Sequence, residues 1–365
     1  MKDVGQQSAA VAALRQAVPY IRLFKGKTFV VKVGGAALGA DDAAARVTLA
    51  VLEQVLVLHQ VGIRVVLVHG GGPQSTSLSR ALGAEPRFVA GRRVTDDAAL
   101  EVAALVLNGA VNTRLLAACR TVGLPAVGLS GVAAGLLQAR RRGPVTVAVA
   151  GSGGSGGSAG AGTRKAEPAA GPAGMVVDYG HVGDIEAVDP GVLETLLAAG
   201  VVPVVSPLSA DERGALLNVN ADTAAAALAV ALGAEKLLLL TAAPGILERP
   251  GDPGSLVSLT DLAGLARLRE RGCLEDGMLP KASSIEAALR GGVRRVHIVG
   301  AGVPDGLLAE VFTNEGVGTL VVADAAAAYG TPAAGGADGP PAAGGAGGAG
   351  GPLAAALQGL PGSEP

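Results

Sequence analysis

The chain has no tryptophan, only three Tyr and four Phe in 365 residues, and two cysteines. Aromatics make up 2% of it, so the stacking surfaces that hold single-stranded nucleic acids are missing. Twenty-nine Lys and Arg against 31 Asp and Glu leave a formal net charge of −2. No cationic field is available for a nucleic acid or an anionic membrane, and neither is an expected partner. Cys119 and Cys273 are too few and too far apart in sequence for a disulfide framework, and reduced thiols are expected. No uninterrupted apolar run reaches the ~18 residues of a membrane span. The opening MKDVGQQSAA has no apolar segment of a secretory signal. These absences together predict a soluble, cytoplasmic protein.

Hydrophobic residues reach 49%, and with so few aromatics the core must be Val, Leu and Ala. Glycine is abundant, with 57 residues, and is unevenly spread. GSGGSGGSAGAGTRKAEPAAGPAG (151–174) and the segment from 327 to 365 have too little apolar content to order themselves. The first lies between GPVTVAV and GMVVDYG and reads as a lengthened hairpin tip, the second as a disordered tail. Elsewhere, short apolar runs alternate with helical patterns. TFVVKVGG, VVLVHGGG, PAVGL, VVPVVSPL (201–208), KLLLLT, RRVHIVG and GTLVV are the strands. Helices are expected near 41–61, 73–83 and 96–120. Such alternation predicts an α/β fold, a three-layer αβα sandwich with a central, mainly parallel sheet. Ligands then gather at the carboxyl ends of the strands. The glycine turns at 34–35, 70–72 and 128–131 all follow strands and are expected to converge. Upstream, residues 8–24 place Val11, Leu14, Val18 and Ile21 on one helical face, with Pro19 inside it.

Two segments carry the strongest chemical signal. VVLVHGGGPQ (65–74) ends a buried strand in three glycines and starts a helix at Pro73, which is an oxyanion-binding construction. VVKVGG sets Lys32 inside an apolar strand, costly to bury unless paired and well placed for phosphate oxygens. Neither glycine cluster has the G-x-G-x-x-G spacing of dinucleotide sites, and no Walker A motif occurs. LLNVNADTAA offers Asn218, Asn220 and Asp222 before an Ala-rich helix. One such residue suffices for a cap. DGMLPK presents Lys281 just before a further helix, and GRRVTD supplies Arg92 and Arg93, either of which could grip a carboxylate. The four histidines are not expected to act as catalytic bases.

In the order VVKVGG, VHGGGPQ, GRRVTD, NVNADTAA, LLLTAAPGIL, GMLPKASS, FTNEGVGTLVV, these motifs resemble the acetylglutamate kinases of the amino-acid kinase family. The match runs over about residues 18–323, apart from the Gly/Ser insert. The resemblance implies ATP-dependent phosphorylation of the γ-carboxylate of N-acetyl-L-glutamate in arginine biosynthesis. Lys32 and Lys281 would stabilise the transition state, and Asp222 would hold them. Gly71, Gly72, Arg93 and Asn218 would bind the substrate. Gly34, Gly35, Thr241, Gly245 and Lys281 would lie against the nucleotide. Mg²⁺ would arrive with ATP, with no metal held by the protein itself. An N-terminal lobe (25–234, including the insert 151–174) would take acetylglutamate and a C-terminal lobe (235–323) ATP, with a tail from 324 to 365.

Residues 1–24 resemble the helical extension of the arginine-inhibited branch. That implies a homohexamer built from dimers and an arginine site including Tyr20, His297, Glu310 and Gly316. A PII-type regulator is a further candidate partner. Ala242 stands where the family usually carries Asp, and GLSGVAAG lacks a common Asp. The alternatives are a kinase of N-succinylglutamate or carrier-linked aminoadipate, and a non-catalytic arginine-sensing relative.

Overall fold

The computed structural model describes residues 4–326 other than 40, 90, 149–173, 275–276 and 314–315. The Gly/Ser insert up to residue 173 and the tail from residue 327 therefore lie outside the described residues.

Apolar runs of five or six residues, buried on both faces, can only sit in the middle of a covered sheet. Five strands do so here. The eight-stranded sheet runs in the order Leu259–Asp261, Thr319–Val322, Arg295–Gly300, Lys236–Thr241, Thr28–Val33, Arg64–His69, Val202–Ser206, Ala126–Ser130. Every pair is parallel except Arg295–Gly300 with Thr319–Val322. Alternation along the strands sends side chains to two separate cores. Val30, Val66, Val68, Leu237 and Leu239 meet the helices Ala221–Ala231 and Met278–Arg290 on one face. Val31, Val65, Leu67, Leu238 and Leu240 meet Asp42–Gln60 and the helices around residues 97–122 on the other. The result is the expected three-layer α/β/α sandwich. A second sheet of four short strands, Leu216–Asn218, Leu208–Ala210, Leu137–Arg141 and Gly183–Val188, lies beside it. The expected hairpin exists: Val145–Ala148 pairs antiparallel with Gly174–Val177.

Several elements differ from the sequence reading. The run 201–208 is two strands in two sheets, broken at Pro207, which has no N–H to continue a ladder. The helix expected near 96–120 extends over Asp97–Val122, but its middle, Leu105–Asn112, is π-helical. Among the described residues this is the one helix long and apolar enough to cross a membrane. Val102, Val106, Val111, Leu115 and Cys119 on it are buried in the core. The first helix, Val4–Phe24, does not bury the face expected of it: Val11 is 52% exposed and Leu14 62%. It docks through its last turns, where Tyr20 and Phe24 are buried, against the helix Gly306–Phe312.

Thr28–Val33 is the strand from which the order departs in both directions, towards Arg64–His69 on one side and Lys236–Thr241 on the other. Crevices in open parallel sheets form at such a point, beyond the carboxyl ends of the strands. Gly34-Gly35, Gly70–Gly72 and the segment after Thr241 all begin there.

Candidate active site

Lys32 shares its side of the strand with Val30, so period-2 alternation aims it at the layer containing Ala221–Ala231. That helix begins at Asn220, whose Oδ1 accepts from the amides of Asp222 (2.8 Å) and Thr223 (3.2 Å). The cap fixes Asp222 in the first turn, facing back to the sheet. Lys32 Nζ stands 2.8 Å from Asp222 Oδ1, and Lys281 Nζ donates to Oδ2 at 2.9 Å. All three residues are buried: Lys32 is 7% exposed, Asp222 8% and Lys281 7%. Burial works to raise the Asp222 pKa, but the charges of Lys32 and then Lys281 outweigh it and hold it below the usual carboxylate value. Burial lowers the pKa of Lys281, with Asp222 opposing and Lys32 adding to the shift. Lys281 does not precede its helix as expected. It lies in the first turn of Met278–Arg290, after Pro280.

Two glycine loops close over this bridge. Gly34 N–H donates to Leu240 O (3.0 Å) and Gly70 N–H to Val33 O (3.2 Å), so each loop extends the sheet's pairing before turning away. A Cβ on Gly35 would stand 2.9 Å from Pro73 Cδ and 3.3 Å from Gly71 N, and only glycine allows the loops to approach this closely. Gln74 Nε2 ties them together through Gly35 O at 2.7 Å. On the other side of the loop, a Cβ on Gly71 would meet Leu107 Cδ2 at 2.8 Å, while Gly72 faces open space.

A cavity of about 890 Å³ opens here, lined by Lys32, Gly35, Gly70, Gly71, Gly72, Arg93, Asn218 and Asp222 among others. Arg93 donates to Thr76 Oγ1 and to Gly72 O (3.3 Å), and its guanidinium stacks on Phe88 at 4.9 Å. Asn218 Nδ2 donates to Thr95 Oγ1 at 3.2 Å. Arg142, which the sequence reading missed, also lines the cavity and pairs with Asp184. It had no motif to mark it, standing third in a run of arginines.

The remaining candidates stand outside this lining. Lys281 reaches the site through Asp222, and Gly34 and Thr241 flank it at adjacent strand ends. Gly245 is a packing glycine: a Cβ would meet Thr319 Oγ1 at 2.5 Å and Leu256 Cδ1 at 2.6 Å. The turn at 128–131 does not converge with the other two, because the strand Val202–Ser206 separates it from Arg64–His69.

Tyr20, His297, Glu310 and Gly316 belong to the opposite face of the sheet. His297 Nδ1 lies 2.8 Å from Glu310 Oε1, and Glu310 Oε2 accepts from Val317 N (2.8 Å) and Gly318 N (3.2 Å). Gly316 is needed because a Cβ there would run into the Glu310 carboxylate at 2.6 Å. Lys236, also missed, is fully buried on the strand beside His297, with Nζ 4.8 Å above the Phe24 ring. Neither Lys236 Nζ nor His297 Nε2 has a hydrogen-bond partner. Burial, with the nearby Arg295 charge, pulls the Lys236 pKa down to about 7. A lysine opening an apolar strand, KLLLLT, is the same signal that marked Lys32.

A buried Lys–Asp–Lys bridge under facing glycine loops, at the carboxyl end of a parallel sheet, defines an α/β enzyme that brings anions together for phosphoryl transfer. The comparisons with known proteins agree. Residues 27–300 match the model of the amino acid kinase family, to which this chain belongs, and it is a kinase. It is 49% identical over 311 residues to the acetylglutamate kinase of Myxococcus xanthus (strain DK1622), covering 85% of this chain and 94% of that one. The acetylglutamate kinase of Symbiobacterium thermophilum is 44% identical over 311 residues, with 85% and 97% covered. Among solved structures, N-acetylglutamate synthase from Neisseria gonorrhoeae complexed with coenzyme A and L-arginine superposes with a TM-score of 0.68 at 30% identity. That match covers 86% of this chain, which spans 65% of the longer synthase chain. Carbamate kinase from Giardia lamblia (TM-score 0.54, 18% identity, 82% and 99% covered) shares the fold.

Proposed function

We propose that this kinase transfers the γ-phosphoryl group of MgATP to the γ-carboxylate of N-acetyl-L-glutamate, and that arginine inhibits it. The observation that carries the first part is the two ammoniums held on one buried carboxylate at the cavity wall. A glutamate side chain has a pKa of ~4.3 and is ionised at neutral pH, so it needs no general base. The obstacle is repulsion between a carboxylate and a polyphosphate. Lys32 meets both at the floor of the cavity, Lys281 offsets charge on the nucleotide side, and Asp222 holds the two ammoniums near each other and aimed by offsetting their repulsion. Arg93, pre-set against Phe88 and Thr76, suits the substrate's other carboxylate through its planar fork. Mg²⁺ belongs to the nucleotide as substrate and would spread charge on its phosphates.

The second part draws support from the buried Lys236–His297–Glu310 group beneath the N-terminal helix. Three hydrogen bonds fill three of the roughly four lone-pair sites of Glu310, leaving one for a guanidinium. The exposed Val11 and Leu14 on the same helix suit packing on another copy of the chain, as a hexamer of dimers would require.

Trapping the acyl phosphate with hydroxylamine, using acetyl-, succinyl- and free glutamate with ATP, tests the reading. Turnover is expected with the acetyl compound and an apparent KM that rises with arginine. Turnover confined to another acyl group would overturn the substrate. Unchanged arginine inhibition after deletion of residues 1–24 would overturn the role of the helix.

A further inference from the structure

His69 ends the strand Arg64–His69 and directly precedes Gly70–Gly72. It is fully buried, and the chemistry above assigns it nothing. Its Nδ1 lies 3.2 Å from Gly70 O, and its Nε2 lies 3.0 Å from Asn112 Nδ2. Asn112 Nδ2 also donates to Val204 O at 3.0 Å. The Val204 carbonyl can only accept, so it fixes the orientation of the Asn112 amide, whose NH₂ faces both partners. His69 Nε2 must then accept, which leaves the proton on Nδ1, donating to Gly70 O. Burial agrees with this neutral ring, lowering the pKa of His69 to about 4.

Asn112 closes the π-helical segment Leu105–Asn112. From the same segment, Leu107 abuts the face of Gly71, and Asn108 Oδ1 accepts from Ser206 Oγ at the end of the neighbouring strand. The segment is π-helical, and π segments occur often at functional sites. The segment therefore holds the glycine loop twice, by apolar contact at Gly71 and by a hydrogen-bond relay at Gly70.

We infer that the relay Val204–Asn112–His69–Gly70 sets the position of the glycine loop against Lys32 and Arg93, making His69 and Asn112 positioning residues for phosphoryl transfer. The inference rests on the functional reading above. An ordinary core histidine would affect stability alone. A positioning histidine affects turnover in a way that depends on which ring nitrogen is replaced.

The test compares His69→Asn, whose amide can stand in for the Nδ1 donor, with His69→Gln, whose amide lies near Nε2 and leaves Gly70 O unserved. Both are assayed well below their melting temperatures. His69→Asn is expected to exceed His69→Gln in kcat by about tenfold or more, since displacement of about 1 Å can cost 10²-fold. The loss in His69→Gln is expected in kcat and in KM for the carboxylate, with KM for ATP unchanged. Equal kinetics in the two variants would overturn the relay. If neither variant folds, Asn112→Ala, which keeps the ring but frees its tautomer, takes their place, and unchanged kcat and KM overturn the inference. Nitrogen-15 NMR of the wild-type His69 ring is expected to show the Nδ1–H form, and the Nε2–H form would overturn it whatever the substrate. Should the wild-type chain fail to phosphorylate acetylglutamate, the functional reading falls, while the NMR result still decides the relay.

Discussion

At the scale of single residues, one carboxylate does the organising. Asp222 lies between two buried ammoniums, and it opposes the lowering that burial imposes on the Lys281 pKa. Replacing Lys32 or Lys281 by Ala is expected to lower kcat by about 10²–10³, the loss typical of one preorganised donor to a developing anion. Steady-state kinetics check it. Asp222→Asn leaves two buried cations without a counter-charge. Urea titration is expected to show a stability loss of about 3–5 kcal/mol, the range for breaking a buried ion pair. Lys32 was legible in the sequence because a charge inside an apolar strand has few explanations. The three polar residues of NVNAD were legible as a group but not in their division of labour. Only the fold shows that Asn220 caps, Asn218 reaches Thr95 and Asp222 turns to the lysines. Lys236 carried the same signal as Lys32 and was overlooked, lacking glycines beside it. The His69–Asn112 bond joins residues 43 apart, and no local pattern announces it.

At the scale of elements, strand–glycine–helix punctuation was readable because each residue there answers to backbone geometry. The two loops that converge are those on adjacent strands, and adjacency is a property of sheet order, which the sequence did not disclose for the third. Gly35→Ala tests this convergence. The added methyl meets Pro73 and Gly71 N within 3.3 Å, so the loops must part. A kcat drop of about 10–100-fold is expected with the fold retained by circular dichroism. The π segment was invisible because its apolar residues fit a 3.6-residue period as well as a longer one. The overhanging half of the first helix misled for the opposite reason: its apolar stripe is real, but no core of its own chain lies beneath Val11 and Leu14.

At the scale of the whole molecule, a sheet with separate cores on its two faces also separates two clusters of buried charge. Lys236 lies on the face away from Asp222, and its folded pKa of about 7 is below the ordinary lysine value of 10.5. The unfolded chain therefore binds more protons between those values. The destabilisation from burying this ammonium is full below about pH 7 and is relieved as pH rises towards 10.5. Lys236→Met is expected to stabilise the protein at pH 7 by a few kcal/mol and to remove that part of the pH slope. Denaturation of both proteins at pH 7 and 9.5 reads the difference. Fold class was legible from alternation alone, but which lysine faces which layer was not, because it depends on register.

The order of the central sheet also bears on how the chain is made. Thr28–Val33 emerges from the ribosome early, yet one of its two neighbours is residues 236–241. Until that stretch has been synthesised, a hydrophobic edge stays uncovered, and Lys32 has no acid to neutralise it. A chain halted before Asp222 thus leaves that edge open, and one halted before Lys281 holds a half-assembled charge bridge.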